Sequence, residues 1–283
     1  MRIVVASGKG GTGKTTVATN LAYVASRTNP RVAYLDCDVE EPNGAIFLRP
    51  EISEERTVGK RVPEVDAACC IQCGECGEIC QYSAIVCVGE SPLVFPELCH
   101  ACGGCSMVCP TGAIREVSRP IGRLRIGASG PIGFVGGILN VGEHMSPPAI
   151  HAVKQAASAV DLLVLDAPPG TSCPVVEAVR GSDLVVLVTE PTPFGLHDLE
   201  LAVEMVRALR LPLGVVINRA GLGNGEVRQF CRQAQIPVLS EIPDDRTVAE
   251  AYSRGELACR AVPGYRSRFE ELLDKIFEAT GES

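Results

Sequence analysis

Met1-Arg-Ile-Val-Val-Ala-Ser-Gly-Lys-Gly-Gly-Thr-Gly-Lys-Thr-Thr16 decides how the rest of the chain reads. Ile3, Val4, Val5 and Ala6 behind Arg2 form a short apolar run, the mark of a buried strand. Gly8, Gly13, Lys14 and Thr15 then fit G-x-x-x-x-G-K-[ST], the spacing of a phosphate-binding loop. Glycines let the backbone wrap tightly and aim its N–H groups at phosphate oxygens. Lys14 adds positive charge at the β- and γ-phosphates, and the Thr15 hydroxyl suits Mg²⁺. Asn20 to Ser26 continue in a helical pattern. The loop therefore opens a helix N-terminus, where anions are favoured.

Around this stretch, 283 residues leave room for one large α/β domain, or one domain with a small insert. A net charge of −8 counts against a nucleic-acid partner bound through a basic face. No apolar run is long enough to span a bilayer, and the N-terminus runs straight into the strand. The expectation is a cytoplasmic protein with neither signal peptide nor membrane anchor. In such a compartment fourteen cysteines point to metal or redox chemistry rather than disulfides. Ten of them fall between Cys69 and Cys109, so they describe a region rather than the chain.

That region repeats itself. Glu51 to Lys60 are charged and read as an irregular border before it. Cys70-x2-Cys73-x2-Cys76-x3-Cys80 recurs 29 residues later as Cys99-x2-Cys102-x2-Cys105-x3-Cys109, and Ala84-Ile85 recur as Ala113-Ile114. The pattern resembles the bacterial two-cluster ferredoxins, in which three cysteines of a run hold one cluster and the fourth crosses to the other. The resemblance implies one [4Fe–4S] cluster on Cys70, Cys73, Cys76 and Cys109, and a second on Cys99, Cys102, Cys105 and Cys80. Short loops must wrap each cubane, and Gly74, Gly77, Gly103 and Gly104 permit close backbone approach. Zinc would want two separated Cys-x2-Cys pairs around one ion, which these runs do not offer. Pro110 follows Cys109 as the pattern expects, but Gln81 follows Cys80. Cys69 is a spare neighbour; a register shift onto it breaks the spacing. Cys87 lies in a strand-like stretch, Ala84 to Val88, and reads as packing.

The remaining chain alternates strands with helices. Arg31 to Asp38 read as a buried strand ending in Asp36 and Asp38, with Cys37 between them facing the core, and Val39 to Asn43 follow as a loop. A carboxylate there lies at the ligand edge of a parallel sheet. Arg123 to Ala128 read as a strand. Gly127 to Gly142 have no G-K-[ST] and read as a flexible connection. Ser146-Pro147-Pro148 start a helix with Ser146 as its cap, continued by Ala149 to Val160. His144 and His151 stand apart from any ligand cluster. Further strands are expected at Asp161 to Asp166, Asp183 to Pro191, Leu213 to Asn218 and Ile236 to Ile242, and a helix at Leu196 to Leu209. Arg266 to Ala279 form an amphipathic helix with Phe269, Leu272, Leu273, Ile276 and Phe277 on one face. Its acidic residues offset the basic ones, so it reads as core packing rather than a membrane helix. The fold class is a doubly wound, mostly parallel α/β sheet. Residues 1–60 and 120–283 form it, and 61–119 are a small inserted α+β ferredoxin-like domain.

Lys9 places a second lysine ahead of the usual one, in Gly8-Lys9-Gly10-Gly11-Thr12-Gly13-Lys14-Thr15. This loop resembles the deviant phosphate-loop ATPases: the MinD and ParA positioning ATPases, the Mrp-type iron–sulfur carriers and the nitrogenase iron protein. With the cysteine repeat, the chain looks like a MinD-superfamily ATPase with an inserted ferredoxin domain. The resemblance implies that Lys9 reaches the nucleotide of the opposite subunit in an ATP-bound dimer. Gly8 to Thr16 hold the phosphates. Asp38 positions or activates the attacking water, and Thr15, Asp36 and Asp166 serve Mg²⁺, the aspartates through water. Asp166-Ala-Pro-Pro-Gly170 is the second switch, whose Gly170 meets the γ-phosphate. In the Asn218-Arg219 pair the asparagine reads the adenine edge, Pro243 and Asp244 resemble the family's adenine-side loop, and ATP is favoured over GTP. Cys173, just past that switch, stands where a cysteine can report nucleotide state to a metal.

The cofactors implied are ATP, Mg²⁺ and two [4Fe–4S] clusters. The partners implied are a second copy or a paralogue, and a redox or iron–sulfur client. The insert leaves just after the first switch, so a switch that follows the γ-phosphate would move the clusters or change their exposure. The leading expectation is ATP-coupled electron delivery to a partner. An iron–sulfur carrier, and a positioning or assembly ATPase with structural or redox-sensing clusters, stay open beside it.

Overall fold

The computed structural model describes every residue except 29–30, 90, 158, 224 and 282–283. The chain opens with β1 (Arg2–Ser7), α1 (Lys14–Thr28), β2 (Val32–Asp36), α2 (Gly44–Leu48) and the long β3 (Glu51–Val65). The cysteine region supplies α3 (Glu75–Ile79), β4 (Ile85–Val88), β5 (Ser91–Val94) and α4 (Gly104–Val108). Then come β6 (Ile114–Ser129), β7 (Ile132–Leu139), α5 (Pro147–Ala156), β8 (Leu162–Pro169) and α6 (Cys173–Val179). The rest is β9 (Leu184–Thr189), α7 (Pro193–Ala208), β10 (Leu213–Ala220), α8 (Glu226–Gln233), β11 (Val238–Pro243), α9 (Arg246–Ser253), α10 (Ala258–Ala261) and α11 (Tyr265–Thr280).

Nine strands form one sheet in the order β11-β10-β9-β1-β8-β2-β7-β6-β3. Neighbours from β11 to β7 run parallel; β6 and β3 add on antiparallel. The expected doubly wound α/β sheet is the one observed. Both faces are covered, as a parallel sheet requires. Along β1, Ile3 and Val5 face a core shared with α1, α10 and α11, while Val4 and Ala6 face one shared with α5, α6 and α7. The apolar stripe of α11 seals the first of these cores with Phe269, Leu272, Leu273 and Ile276.

Four local expectations are corrected. Glu51 to Lys60, read as an irregular border, are part of β3. Their charges pair instead of marking a linker: Arg56 meets Glu54, and Arg123 and Arg125 approach Glu55. Below them Val58, Lys60 and Val62 alternate inward. Gly127 to Gly142, read as a flexible connection, contain the end of β6 and all of β7. The glycines serve packing: a Cβ on Gly137 would fall 2.6 Å from Val39 and 2.9 Å from Val153. Ser146 occupies the cap position, but its Oγ makes no cap hydrogen bond, and Pro147 and Pro148 open α5. The helix ends at Ala156, short of the expected Val160; residue 158 lies outside the described residues.

The ladder between β3 and β6 runs through the expected domain borders, with Lys60 opposite Arg119 and Arg61 opposite Ser118. The cysteine region is thus carried on a continuous two-stranded arm. At the crossing, Lys60 Nζ donates to Glu143 Oε1 at 3.0 Å and to the Glu97 carbonyl at 3.3 Å. Arg119 bonds both Glu143 and Glu97. Glu143 belongs to the loop before α5, and Glu97 precedes Cys99. This buried ion cluster fastens the arm to the sheet.

Candidate nucleotide site and cysteine centre

β1 ends against a cleft of about 430 Å³, a size suited to a small-molecule ligand. Its wall includes Ser7, Gly10, Gly11, Gly13, Lys14, Thr15 and Thr16 of the loop, with Asp38 from the segment after β2. Asn218, Arg219, Pro243 and Asp244 line the same cleft from the ends of β10 and β11. The structure therefore brings the phosphate-loop and adenine-side candidates to one place. Gly8 packs beside the Asp198 backbone of α7, and Thr12 is buried. Asn218 Nδ2 donates to the Thr12 carbonyl at 2.8 Å, which ties β10 to the loop.

Three carboxylates gather around Lys14. Its Nζ donates to Asp166 Oδ1 at 2.9 Å and to Asp38 Oδ2 at 3.3 Å. Burial works against this ammonium, yet Asp166 and Asp38 outweigh burial and hold its pKa above the ordinary lysine value. Asp38 is pushed up by burial, which Lys14 only partly offsets. Asp36 is pushed well up, first by burial and then by the charge of Asp166. One oxygen of Asp36 accepts from the Gly44 N–H at 2.9 Å; the other is buried without a protein partner. A buried oxygen of this kind asks for a partner the protein does not supply, and a hydrated cation beside phosphates fits that demand.

Lys9 Nζ lies 3.9 Å from Glu190 Oε2, and Glu190 Oε1 accepts from Arg219 at 2.7 Å. Glu190 was not among the residues singled out in the sequence, although a carboxylate directly after a buried strand is the same signal that marked Asp36 and Asp166. Tyr34 was missed as well. It is fully buried, and its hydroxyl donates to Asp166 Oδ2 at 2.9 Å. Tyr252, Tyr265 and Phe269 close the far end of the cleft; α11 had been read for its core face alone.

In the cysteine region the repeat is structural as well as sequential. α3 and α4 begin at equivalent positions, after Gly74 and Gly103 in the left-handed region. Gln72 and Ala101 share that conformation, an uncommon one for side-chain-bearing residues. Cys70, Cys73, Cys76 and Cys109 line one cavity. Cys80, Cys99, Cys102 and Cys105 line another. Backbone N–H groups face the sulfurs: Ala84 N–H meets Cys80 Sγ at 3.3 Å and Ala101 N–H meets Cys99 Sγ at 3.4 Å. Burial raises the Cys80 thiol, but N–H groups of Tyr82, Ile85, Ala84 and Ser83 outweigh it and hold it below the ordinary cysteine value. A set of thiols with N–H donors on the sulfurs fits an iron–sulfur group. No three His, Cys, Asp or Glu side chains converge as a metal-holding group among the described residues, here or around Lys14. Cys87 is exposed on β4, with its Sγ 3.5 Å from Cys76 Sγ, rather than packed inward. Cys69 is exposed, and Cys173 is exposed at the start of α6. No described helix is long and apolar enough to cross a membrane.

Comparison with known proteins adds four findings. The family model described as CobQ/CobB/MinD/ParA nucleotide binding domain matches residues 3–258. The chain is 30% identical over 285 residues to the uncharacterized protein MJ0578 of Methanocaldococcus jannaschii, covering 98% of this chain and 97% of that one. It is 28% identical over 269 residues to an iron-sulfur cluster carrier protein of Aquifex aeolicus, covering 90% of this chain and 60% of the relative. Among solved structures, the septum site-determining protein MinD of Pyrococcus horikoshii, complexed with Mg-ADP, superposes with a TM-score of 0.61 at 20% identity. That match covers 99% of this chain and 97% of the other.

Proposed function

The chain belongs to the CobQ/CobB/MinD/ParA nucleotide-binding family, and we propose that it is an ATPase whose dimer switch drives electron transfer from a built-in two-cluster module to a partner protein. Residues 1–60 and 120–283 are its ATPase domain and 61–119 its inserted cluster domain. The observation that carries this reading is physical continuity. The chain leaves Asp38, forms α2, and passes directly into the arm that bears both four-thiol cavities.

In this reading the N–H groups of Gly8 to Thr16 and the Lys14 ammonium bind the phosphates of ATP. Thr15, with Asp36 and Asp166 through water, would hold Mg²⁺, which supplies charge neutralisation at the phosphates. Lys14 gives up Asp38 and Asp166 for phosphate oxygens, and Asp38 is freed to orient a water for in-line attack on the γ-phosphorus, with ADP leaving. Lys9 exchanges Glu190 for the nucleotide of a second subunit, either an identical chain or a paralogue. Asn218, Arg219, Pro243 and Asp244 seat the adenine. Cys70, Cys73, Cys76 and Cys109 would hold one [4Fe–4S] cluster and Cys99, Cys102, Cys105 and Cys80 the other; bound there, such groups accept and pass single electrons. The setting in this reading is the cytoplasm.

A carrier role is favoured by the relatives: the Aquifex protein and several further ones are named iron-sulfur cluster carrier proteins. The two readings differ in whether a cluster leaves. Protein reduced anaerobically with dithionite and freed of the excess is incubated with an apo-ferredoxin or with an oxidised electron acceptor, with and without Mg-ATP, and its iron and the acceptor's oxidation state are followed. Retained iron and ATP-dependent reduction of an electron acceptor support electron transfer. ATP-stimulated loss of iron to the apo-protein replaces that reading with the carrier.

A further inference from the structure

We propose that Tyr34 is a positioning residue of the nucleotide site, holding Asp166 in the orientation that serves a Mg–nucleotide and passing the state of that carboxylate to α2, the root of the cysteine-bearing arm. The proposal rests on the reading of Asp166 given above.

Tyr34 stands in the middle of β2, between Ala33 and Leu35, in a strand whose other buried side chains before Asp36 are apolar. It is fully buried and stacks on Phe134, with ring centroids 6.0 Å apart at 16°. A hydroxyl placed so deep is costly unless paired. It is paired with Asp166, a carboxylate that also meets Lys14. Tyr34 Oη donates to Asp166 Oδ2 at 2.9 Å, and Lys14 Nζ donates to Asp166 Oδ1 at 2.9 Å. Each oxygen thus has its own partner, and the carboxylate plane cannot turn without breaking one of them. When phosphates draw Lys14 away, Tyr34 is the contact that keeps Oδ1 aimed at the cleft.

The hydroxyl end of the ring also meets α2. Gly44, the first residue of α2, lies against it so closely that a Cβ would fall 2.3 Å from the hydroxyl oxygen and 2.4 Å from Cε1. Its N–H donates to Asp36 Oδ2. The first turn of α2 therefore rests on Tyr34 and Asp36 together. α2 ends at Leu48, Arg49 turns the chain with φ of 49°, and β3 begins at Glu51. A displacement of the Tyr34 hydroxyl has no slack to absorb it before α2.

Tyr34→Phe removes one oxygen and keeps the ring. Affinity for a non-hydrolysable ATP analogue is measured with Mg²⁺ and with EDTA. The expected result is unchanged affinity in EDTA and an enhancement by Mg²⁺ reduced about tenfold, the weight of one hydrogen bond to a charged group. An enhancement equal to wild type, or an equal loss under both conditions, overturns the positioning role. Hydrogen exchange on the wild type supplies a readout that does not depend on the variant. Mg²⁺ added to the analogue-bound protein changes exchange at residues 44–48; unchanged exchange there overturns the relay to α2. A wild-type protein that binds no nucleotide sinks the ATPase reading instead.

Discussion

The α/β region and the cysteine region solve the folding problem with different means. The sheet buries two large apolar cores, one on each face. Its candidate site residues gather at the strand ends and in the loop after β1, beside these cores. Among the described residues the cysteine region has two cores of three buried residues each, Val62 with Ala84 and Cys99, and Cys76 with Ile85 and Ile114. Several of its other large apolar side chains, among them Ile71, Val88, Leu93 and Met107, are exposed. Here the candidate ligands are themselves the core. Small units with so little apolar burial commonly depend on metal. The difference teaches that the sheet is held by apolar burial that needs no ligand, whereas in the cysteine region the proposed cluster ligands and the core are the same residues.

Removal of iron breaks that comparison most forcefully. Chelation under reducing conditions should abolish exchange protection across residues 66–113 while the thermal midpoint of the sheet stays in place. A common transition for both regions would show that they are not independent. Lys14→Ala comes next. It takes the cation from the buried Asp166 and Asp38, so we expect a loss of ~3–5 kcal/mol in the denaturant unfolding of the sheet, together with nucleotide affinity, while iron content is unchanged. Glu143→Gln addresses the fastening between the regions. It leaves Lys60 buried without its carboxylate, and an effect of ~3 kcal/mol on arm opening by hydrogen exchange is expected. Burial raises the Glu143 carboxyl, but Lys60 and Arg119 outweigh it and hold it below the ordinary value. Its contribution is therefore present above the unfolded glutamate pKa and lost as pH falls through the lowered one; the variant should lack this acid-side loss. Gly137→Ala probes the sheet core alone, where crowding of Val39 and Val153 should cost ~1–3 kcal/mol in equilibrium unfolding without touching iron. The exposed pair of Arg31 with Asp161 is the smallest case, and Arg31→Ala should melt like wild type.

The two regions were also unequally legible. Gly8 to Thr15, Asp166 and the two cysteine runs could be read because their chemistry fixes residue types at fixed spacing. Strands β3 and β7 could not. The charges of β3 make sense only beside Arg123 and Arg125 on the partner strand, and Gly133, Gly136 and Gly137 in β7 look like a loop until Val39 and Val153 are seen against the last of them. Tyr34 and Glu190 were hidden for a related reason. Their partners lie 132 and 29 residues away, at Asp166 and Arg219. Pairings over such distances are set by the order of strands in the sheet, and no local pattern carries that order.

An anaerobic redox titration of the clusters by electron paramagnetic resonance, with and without Mg-ATP, tests most directly whether nucleotide and cluster regions act on each other. The account predicts a lowered potential or an altered signal with Mg-ATP, absent in Lys14→Ala. Identical titrations with and without Mg-ATP would contradict it, and would mean that the arm joins the two regions without coupling them.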